Sequence, residues 1–283
     1  MPTPEFIVHV PHPGTRHAAL DLALDLAVRL QARLSGVFAA ALPSAAFAVP
    51  EAITLQVQEA EQARKAASAK TDWWRQLLQQ HGLHGDWRVG EGDLAQVLCL
   101  AVASADLLIV QRPETREDAP IGFGSTSRTV FAAVKPVLIV PAAGAASTGR
   151  RVLIAWNGSL ESARALHGAA PLLARAEAVH VLDGSREQGP EGLAWLPPLD
   201  LAPWFARRGI AAGIERFQPE GTPAPAILAR AQALQCDLIV LGAWGSSRLT
   251  EMVLGGVTRA LFRECPLNVN GVNAAYALRI ASH

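Results

Sequence analysis

The amino-acid sequence predicts an α/β protein built from two tandem copies of one domain, each a five-stranded parallel sheet with helices on both faces. Its 283 residues fit about two domains of ordinary size. Short β-branched runs alternate with helical patterns of roughly ten to twenty residues, the order typical of βαβ units with right-handed crossovers. An internal repeat is the third observation and the strongest.

The repeat is visible as ordered landmarks at matching distances. Asp106 opens an apolar run and lies 18 positions before Gly124, and Asp237 opens a similar run 18 positions before Gly255. A Lys-Pro or Cys-Pro pair then precedes the next apolar run in each copy, at 135–136 and 265–266. Agreement at so many ordered points indicates duplication.

The repeat divides the chain into domains at 1–141 and 150–271, with a C-terminal extension at 272–283. The small residues between Pro141 and Gly149 indicate a linker. We expect a single long helix over 51–81. In copy two the pattern predicts strands near 152–156, 178–183, 213–217, 237–242 and 266–270, and helices near 159–175, 200–208, 222–235 and 256–264.

Composition excludes several classes of protein. Twenty-five basic residues balance twenty-five acidic ones, so no basic nucleic-acid module is expected. No apolar run approaches the ~18 residues of a membrane span, and no signal peptide is apparent at the N-terminus. Cys99, Cys236 and Cys265 form no C-x-x-C pair, which argues against a zinc site and a disulfide framework. We therefore expect a cytoplasmic protein whose partners include neither nucleic acid nor membrane.

A glycine-rich segment in copy two has the pattern of a phosphate-binding loop. The strand at 237–241 leads into Gly242-Ala-Trp244-Gly245, and nine residues later Gly255-Gly256-Val257-Thr258 opens a helix. Glycines allow a sharp turn and a close approach of backbone N–H groups to an anion, and a helix N-terminus favours negative charge. Thr258 adds a hydroxyl, and Arg248 inside the loop is either a phosphate ligand or a solvated side chain. No G-K-[ST] follows, which disfavours Walker-type phosphoryl transfer.

This loop resembles the hallmark of the universal stress protein family, in its tandem two-domain form: G, two residues, G, nine residues, G and Ser or Thr. The resemblance implies a flavodoxin-like, adenine-nucleotide α-hydrolase-like sandwich in each copy. It also implies binding of ATP, or of AMP or ADP, where the loop is intact. Such proteins are usually stress-response regulators with at most slow hydrolysis.

By the same resemblance, three apolar residues of copy two would line the base and ribose pocket: Ala155, Val181 and Leu241. Trp156 either stacks on the adenine or belongs to the core. Two positions depart from the family: Gly256 replaces a Ser or Thr, and Asn157 replaces an Asp that contacts the nucleotide. Because an amide has no negative charge, a role for Mg²⁺ is doubtful and no metal site is assigned.

Copy one departs from the loop pattern more strongly. Gln111 and Glu114 take the places of Gly242 and Gly245, and Pro13 aligns with Asn157. A carboxylate at the phosphate position would repel the ligand. We therefore expect copy one to be structural, with 124–127 serving only as a helix cap.

Other candidate sites have simpler explanations. His9, His12 and His17 are either metal ligands or ordinary strand and loop residues, and the second alternative is favoured because no acidic partner is fixed nearby. Ser159 is expected to be a helix N-cap, with Ser162 exposed in the first turn. No residue is assigned a catalytic role.

The leading hypothesis is a stress-response regulator that binds one adenine nucleotide in copy two. The alternatives are a slow ATPase and a scaffold that binds no nucleotide. The copies are expected to pair as an intramolecular pseudo-dimer, with homodimerisation left open. The extension at 272–283 has no counterpart in copy one and is either a docking segment or an addition foreign to the native protein.

Overall fold

The structure is a computed structural model of the chain. It describes residues 3–41, 50–112, 124–141, 149–185, 200–221, 223–242 and 275–278. Strands and helices alternate along these ranges, which confirms the predicted α/β class. No helix in the described ranges combines the length and the apolar character that a membrane span requires.

Copy one alternates parallel strands with helices. Its strands are β1 (Glu5–His9), β2 (Arg33–Ala41), β3 (Trp87–Gly92), β4 (Leu107–Gln111) and β5 (Val137–Val140). Its helices are α1 (Ala18–Leu30), α2 (Pro50–Ser68), α3 (Thr71–Gln80), α4 (Leu94–Val102) and α5 (Ser125–Ala132). The strand order is β3-β2-β1-β4-β5, with every neighbouring pair parallel.

Copy two repeats this topology. Its strands are β6 (Arg151–Trp156), β7 (Ala178–Asp183), β8 (Ala212–Arg216) and β9 (Leu238–Gly242). Its helices are α6 (Leu160–Leu173), α7 (Ala202–Ala206) and α8 (Pro223–Ala233). The parallel order β9-β6-β7-β8 matches β4-β1-β2-β3 of copy one. The predicted helix at 256–264 and strand at 266–270 lie outside the described residues.

The C-terminal extension supplies strand β10 (Ala275–Leu278), which lies between the two copies. It is parallel to β9 and antiparallel to β5, so that all ten described strands form one sheet. In the antiparallel pair, Leu138 of β5 lies opposite Tyr276, Ile139 opposite Ala275 and Val137 opposite Ala277. Strand β10 therefore lies beside β9, in parallel, as β5 lies beside β4.

Strand β10 lies beside β9, and the prediction of a fifth strand near 266–270 falls outside the described residues and stays a prediction. The extension at 272–283 thus supplies a strand that pairs with one strand of each copy. The segment Ala275–Leu278 contains no proline, glycine or asparagine, residues that strands disfavour.

The long helix predicted over 51–81 is divided into α2 and α3. Ala69 and Lys70 form the junction, where the hydroxyl of Thr71 donates to the carbonyl of Ser68 at 2.9 Å. Ser and Thr side chains that bond nearby backbone groups compete with helix continuation. After this break Trp74, 1% exposed, packs on the sheet at Gly36 of β2.

The largest hydrophobic cluster spans both copies. It lies on the face of the sheet covered by α1 and α6, and it joins Phe6 and Val8 of copy one with Ile154 and Val240 of copy two. The opposite face has a separate cluster in each copy. At the boundary, a Cβ atom on Gly149 would lie 3.6 Å from the guanidinium of Arg29, so the end of α1 contacts the start of copy two.

Candidate functional site

The carboxyl ends of β6 and β9 define the candidate site of copy two. Strand β6 is flanked by β7 on one side and by β9 on the other, so the chain reverses its direction of growth across the sheet at this point. Open α/β sheets bind ligands outside the carboxyl strand ends at such a switch point. Strand β6 ends at Trp156 and strand β9 ends at Gly242 on this edge.

Gly242 brings the start of α6 onto the end of β9. A Cβ atom at this position would lie 2.5 Å from the backbone nitrogen of Ser162 and 2.6 Å from the carbonyl carbon of Glu161. Real Cβ atoms do not approach backbone so closely, so the contact requires glycine. The N-terminal turn of α6, where the helix dipole is positive, therefore adjoins the strand that leads into the predicted phosphate loop.

The first turn of α6 is capped from within its own segment. Ser159 is the N-cap, as predicted, and its hydroxyl accepts the N–H of Ser162 at 3.2 Å. Ser162 itself is 2% exposed and donates its hydroxyl to the Ser159 carbonyl, so the expectation of an exposed Ser162 is wrong. Asn157 is exposed, and its amide oxygen accepts the N–H of Ser159 at 3.1 Å.

The predicted apolar lining is divided between the two faces of the sheet. Trp156 and Val181 belong to the large cluster on the α6 side. Leu241 and Ala155 belong to the cluster on the other side. Side-chain burial agrees with a core role for Trp156, which is 6% exposed. These four side chains therefore form no common surface, and at the carboxyl edge the residues can contact a ligand through their backbone.

The remaining predicted ligands lie outside the described residues: Trp244, Gly245, Arg248, Gly255, Gly256, Val257 and Thr258. Their roles stay predictions. Of the predicted glycines, Gly242 alone is described, and it joins Ala155 and Leu241 at the junction of β6 and β9.

The sequence analysis missed a polar group beside this edge. Asp183 ends β7, and its Oδ1 accepts the N–H and the hydroxyl of Ser185 at 2.9 and 2.6 Å. Arg216, at the end of β8, donates to Oδ2 at 3.4 Å. An acidic residue at the end of the second strand of a βαβ unit is a signal that the sequence contained.

The same edge of copy one is filled by a side chain. Oε1 of Gln111, at the position equivalent to Gly242, lies 3.1 Å from Nδ1 of His17 and accepts the N–H of Ala19 at 3.4 Å. His17 is the N-cap residue of α1 but makes no side-chain cap bond itself. Gln111 therefore occupies the space between β4 and the start of α1. Glu114 lies outside the described residues.

The loop after β1 also differs from its counterpart after β6. Sheet register makes His9 equivalent to Ala155, so the residue in the place of Asn157 is Pro11 and the predicted alignment with Pro13 is wrong. The N-cap follows eight residues after His9 in copy one but four after Ala155 in copy two. The loop after β1 is therefore four residues longer than the loop after β6. Landmark spacing in the sequence does not show where in the loop these four residues lie.

Burial favours the neutral forms of His9, His17 and Cys236. Burial, with His17 and His12 nearby, lowers the pKa of His9 to about 4. Burial also lowers the pKa of His17, opposed by its hydrogen bond with Gln111. Burial raises the pKa of the Cys236 thiol to about 11. Within the described ranges, no group of three or more His, Cys, Asp or Glu residues could hold a metal ion.

These observations define the chain as a tandem α/β protein with a candidate small-ligand site at the carboxyl edge of its second copy. The model of the universal stress protein family matches residues 7–141 and 149–270. The chain therefore belongs to the universal stress protein family. Among curated proteins, no sequence matches it significantly.

Solved structures support the fold over the whole chain. A universal stress protein from Archaeoglobus fulgidus DSM 4304 is 16% identical, with a TM-score of 0.64 over 98% of this chain and 97% of that one. A functionally unknown protein from Pseudomonas aeruginosa PAO1 is also 16% identical, with a TM-score of 0.59 over 98% of this chain and 92% of that one. Both similarities extend over the two copies, which confirms the tandem architecture.

Proposed function

We propose that the chain is a stress-response regulator that binds ATP, or a related adenine nucleotide, in copy two, while copy one is structural. The contrast between Gly242 and Gln111 supports this proposal most directly. At equivalent sheet positions, one copy brings a bare strand end against a helix N-terminus, and the other fills that place with a side chain. The first arrangement sets the positive end of the α6 dipole beside the edge where an anionic ligand would bind.

The glycines beyond Gly242 supply the rest of the proposed site. Gly245, Gly255 and Gly256 would present N–H groups to the phosphates, with Thr258 and Arg248 as further donors. Asn157 lies at the end of β6 and would contact the sugar or base. We assign no catalytic residue, and no Mg²⁺ is required by this proposal.

The intramolecular pairing is part of the same proposal. A core shared by both copies and a strand shared at their junction give copy one a structural role without a ligand of its own. Free thiols at Cys99 and Cys236 are in keeping with a reducing, cytoplasmic environment. We leave homodimerisation to measurement of the mass in solution.

The decisive experiment introduces into copy two the residue that copy one has at the equivalent position. Gly245→Glu, chosen to match Glu114 of copy one, should reduce ATP affinity below detection in calorimetric titration, because a carboxylate would face the phosphates. Ala206→Glu, on the exposed surface of α7, adds the same charge elsewhere in copy two and should leave affinity unchanged. Unchanged affinity in Gly245→Glu would mean that the nucleotide binds at another loop.

Two further outcomes separate the alternatives. Mass spectrometry of gently purified and then denatured protein should release an adenine nucleotide from the wild type and none from Gly245→Glu. Steady release of ADP from added ATP would favour a slow ATPase. A wild-type protein that neither carries nor binds adenine nucleotide would favour the scaffold and overturn the proposal.

A further inference from the structure

The carboxylate of Asp183 stands one strand away from the proposed nucleotide site. Asp183 is the last residue of β7, in register with Trp156 at the end of β6 and with Arg216 at the end of β8. Its side chain is 25% exposed. It is thus a charged group on the carboxyl edge of the sheet, beside the strand from which the loop of Asn157 departs.

Hydrogen bonds fix the orientation of this carboxylate. Oδ1 accepts two short bonds from Ser185, whereas Oδ2 has the longer contact with Arg216 at 3.4 Å. An ionised carboxylate has about four acceptor positions, so these three bonds leave acceptor capacity for a further donor. Arg216 also donates to the Ser185 hydroxyl at 3.2 Å, which makes the three side chains one rigid unit.

The turn that holds Asp183 lies against the loop after β6. The N–H of Gly184 donates to the carbonyl of Trp156 at 2.8 Å. A Cβ atom on Gly158 would lie 3.3 Å from the Cβ of Ser185, and Gly158 has a φ of +77°. The carboxylate turn and the Asn157–Gly158 loop therefore adjoin, so a ligand seated at the end of β6 would meet both.

Copy one has no such group at the equivalent place. Register aligns Val37 with Leu182, so Phe38 corresponds to Asp183 and Val89 corresponds to Arg216. The ion pair of copy two is an apolar pair in copy one. Among the described residues, an ion pair at the ends of the second and third strands is thus found in copy two, whose strand β9 also ends in glycine.

We propose that Asp183 binds the ribose of the nucleotide, so that copy two prefers ribonucleotides to 2′-deoxyribonucleotides. A ribose presents two vicinal hydroxyl donors, and its 2′-hydroxyl suits the acceptor position that remains on the carboxylate. In the doubly wound sheets that bind dinucleotides, an acidic residue near the end of the second strand binds the ribose 2′-hydroxyl, and its charge disfavours a 2′-phosphate. This inference rests on the proposed function, because it assigns the sugar subsite of the same ligand.

The test compares nucleotides on the intact chain. Calorimetric titration should show that the wild type binds ATP more tightly than 2′-deoxy-ATP by about tenfold to a hundredfold, the range given by a hydrogen bond to a charged group. Asp183→Asn should weaken ATP binding and bring the two affinities within about twofold, since 2′-deoxy-ATP has no 2′-hydroxyl bond to the carboxylate that the substitution could remove. Ser185→Ala should partially reduce the preference for ATP over 2′-deoxy-ATP, because the Asp183 carboxylate would lose the hydroxyl bond that helps to orient it.

Glu177→Gln is the matched control. Glu177 pairs with Arg150 at the opposite end of the same sheet, at 2.9 Å, and its loss should not change the preference for ATP. Far-ultraviolet circular dichroism establishes that each variant is folded. If Asp183→Asn does not fold, the wild-type ratio and Ser185→Ala still decide the question.

The outcomes distinguish this inference from the proposed function. Equal wild-type affinity for ATP and 2′-deoxy-ATP overturns the role of Asp183 and leaves nucleotide binding intact. An Asp183→Asn variant that weakens both nucleotides by the same factor assigns the residue a structural role and also overturns the inference. Absence of binding to either nucleotide by the wild type overturns both proposals together.

Discussion

Gly242 illustrates how one residue serves both packing and the candidate site. The absence of a side chain lets the first turn of α6 rest on the end of β9. Sequence spacing identified this glycine as part of a phosphate loop, but its contacts with Glu161 and Ser162 lie some eighty positions away along the chain and cannot be inferred from local pattern. Stability depends on this position, and under our proposal ligand binding does too, so the two have to be measured separately.

We expect Gly242→Ala to destabilise the protein in the absence of any nucleotide. The new methyl group would overlap backbone atoms of α6, and overpacking of this kind costs about 1–3 kcal/mol of unfolding free energy. Gly213→Ala is the control, because a Cβ there would lie 3.7 Å from Nδ1 of His180, an ordinary contact. Urea denaturation followed by tryptophan fluorescence measures both. Equal unfolding free energies for the two variants would show that α6 can move away from β9 without cost.

At the scale of elements, the repeat shows what sequence can and cannot predict. The positions of the described strands β6–β9 and helices α6–α8, the N-cap at Ser159 and the parallel order followed from periodicity and duplication, because these depend on local pattern. The break between α2 and α3 depends on a side-chain bond and on packing, and the pairing of β10 with β5 and β9 depends on contacts across the sheet. An unaligned sequence does not contain these contacts.

A pair of aspartates at equivalent positions ties the first strand of each copy to the sheet. Asp237, 5% exposed, accepts the N–H groups of Gly149, Arg150 and Arg151 at 3.0–3.1 Å. Asp106 accepts the N–H of Glu5 at 2.9 Å, in an exposed setting. The duplicated residue thus holds the start of β6 more extensively than it holds the start of β1.

Replacing these aspartates should therefore have unequal effects. We expect Asp237→Ala to lower the free energy of unfolding by about 3 kcal/mol, because buried N–H groups would lose charged acceptors. Asp106→Ala should cost about 1 kcal/mol, since water can replace its single bond. Chemical denaturation of both variants checks the difference. A smaller loss in Asp237→Ala than in Asp106→Ala would contradict the assigned role of the buried carboxylate.

At the scale of the whole molecule, the shared core implies that the two copies unfold together. The cluster that includes Leu26 of α1 continues into copy two, and β10 pairs with a strand of each copy. Two domains with separate cores would move and unfold independently by default. A continuous apolar cluster instead couples their stabilities. A destabilising substitution in copy one should therefore increase the opening of a site that lies wholly in copy two.

Cys236 offers that distant site, because its thiol belongs to copy two and is fully buried. Leu26→Ala would remove a buried side chain from copy one at a cost of about 2–5 kcal/mol. If the copies open together, a thiol reagent should label Cys236 at least about tenfold faster in this variant, since opening controls access. Peptide mass spectrometry locates the label, and Leu153→Ala, inside the cluster of copy two, is the positive control. An unchanged rate in Leu26→Ala beside a faster rate in Leu153→Ala would show that copy two opens by itself, and that the shared core does not make the chain a single cooperative unit.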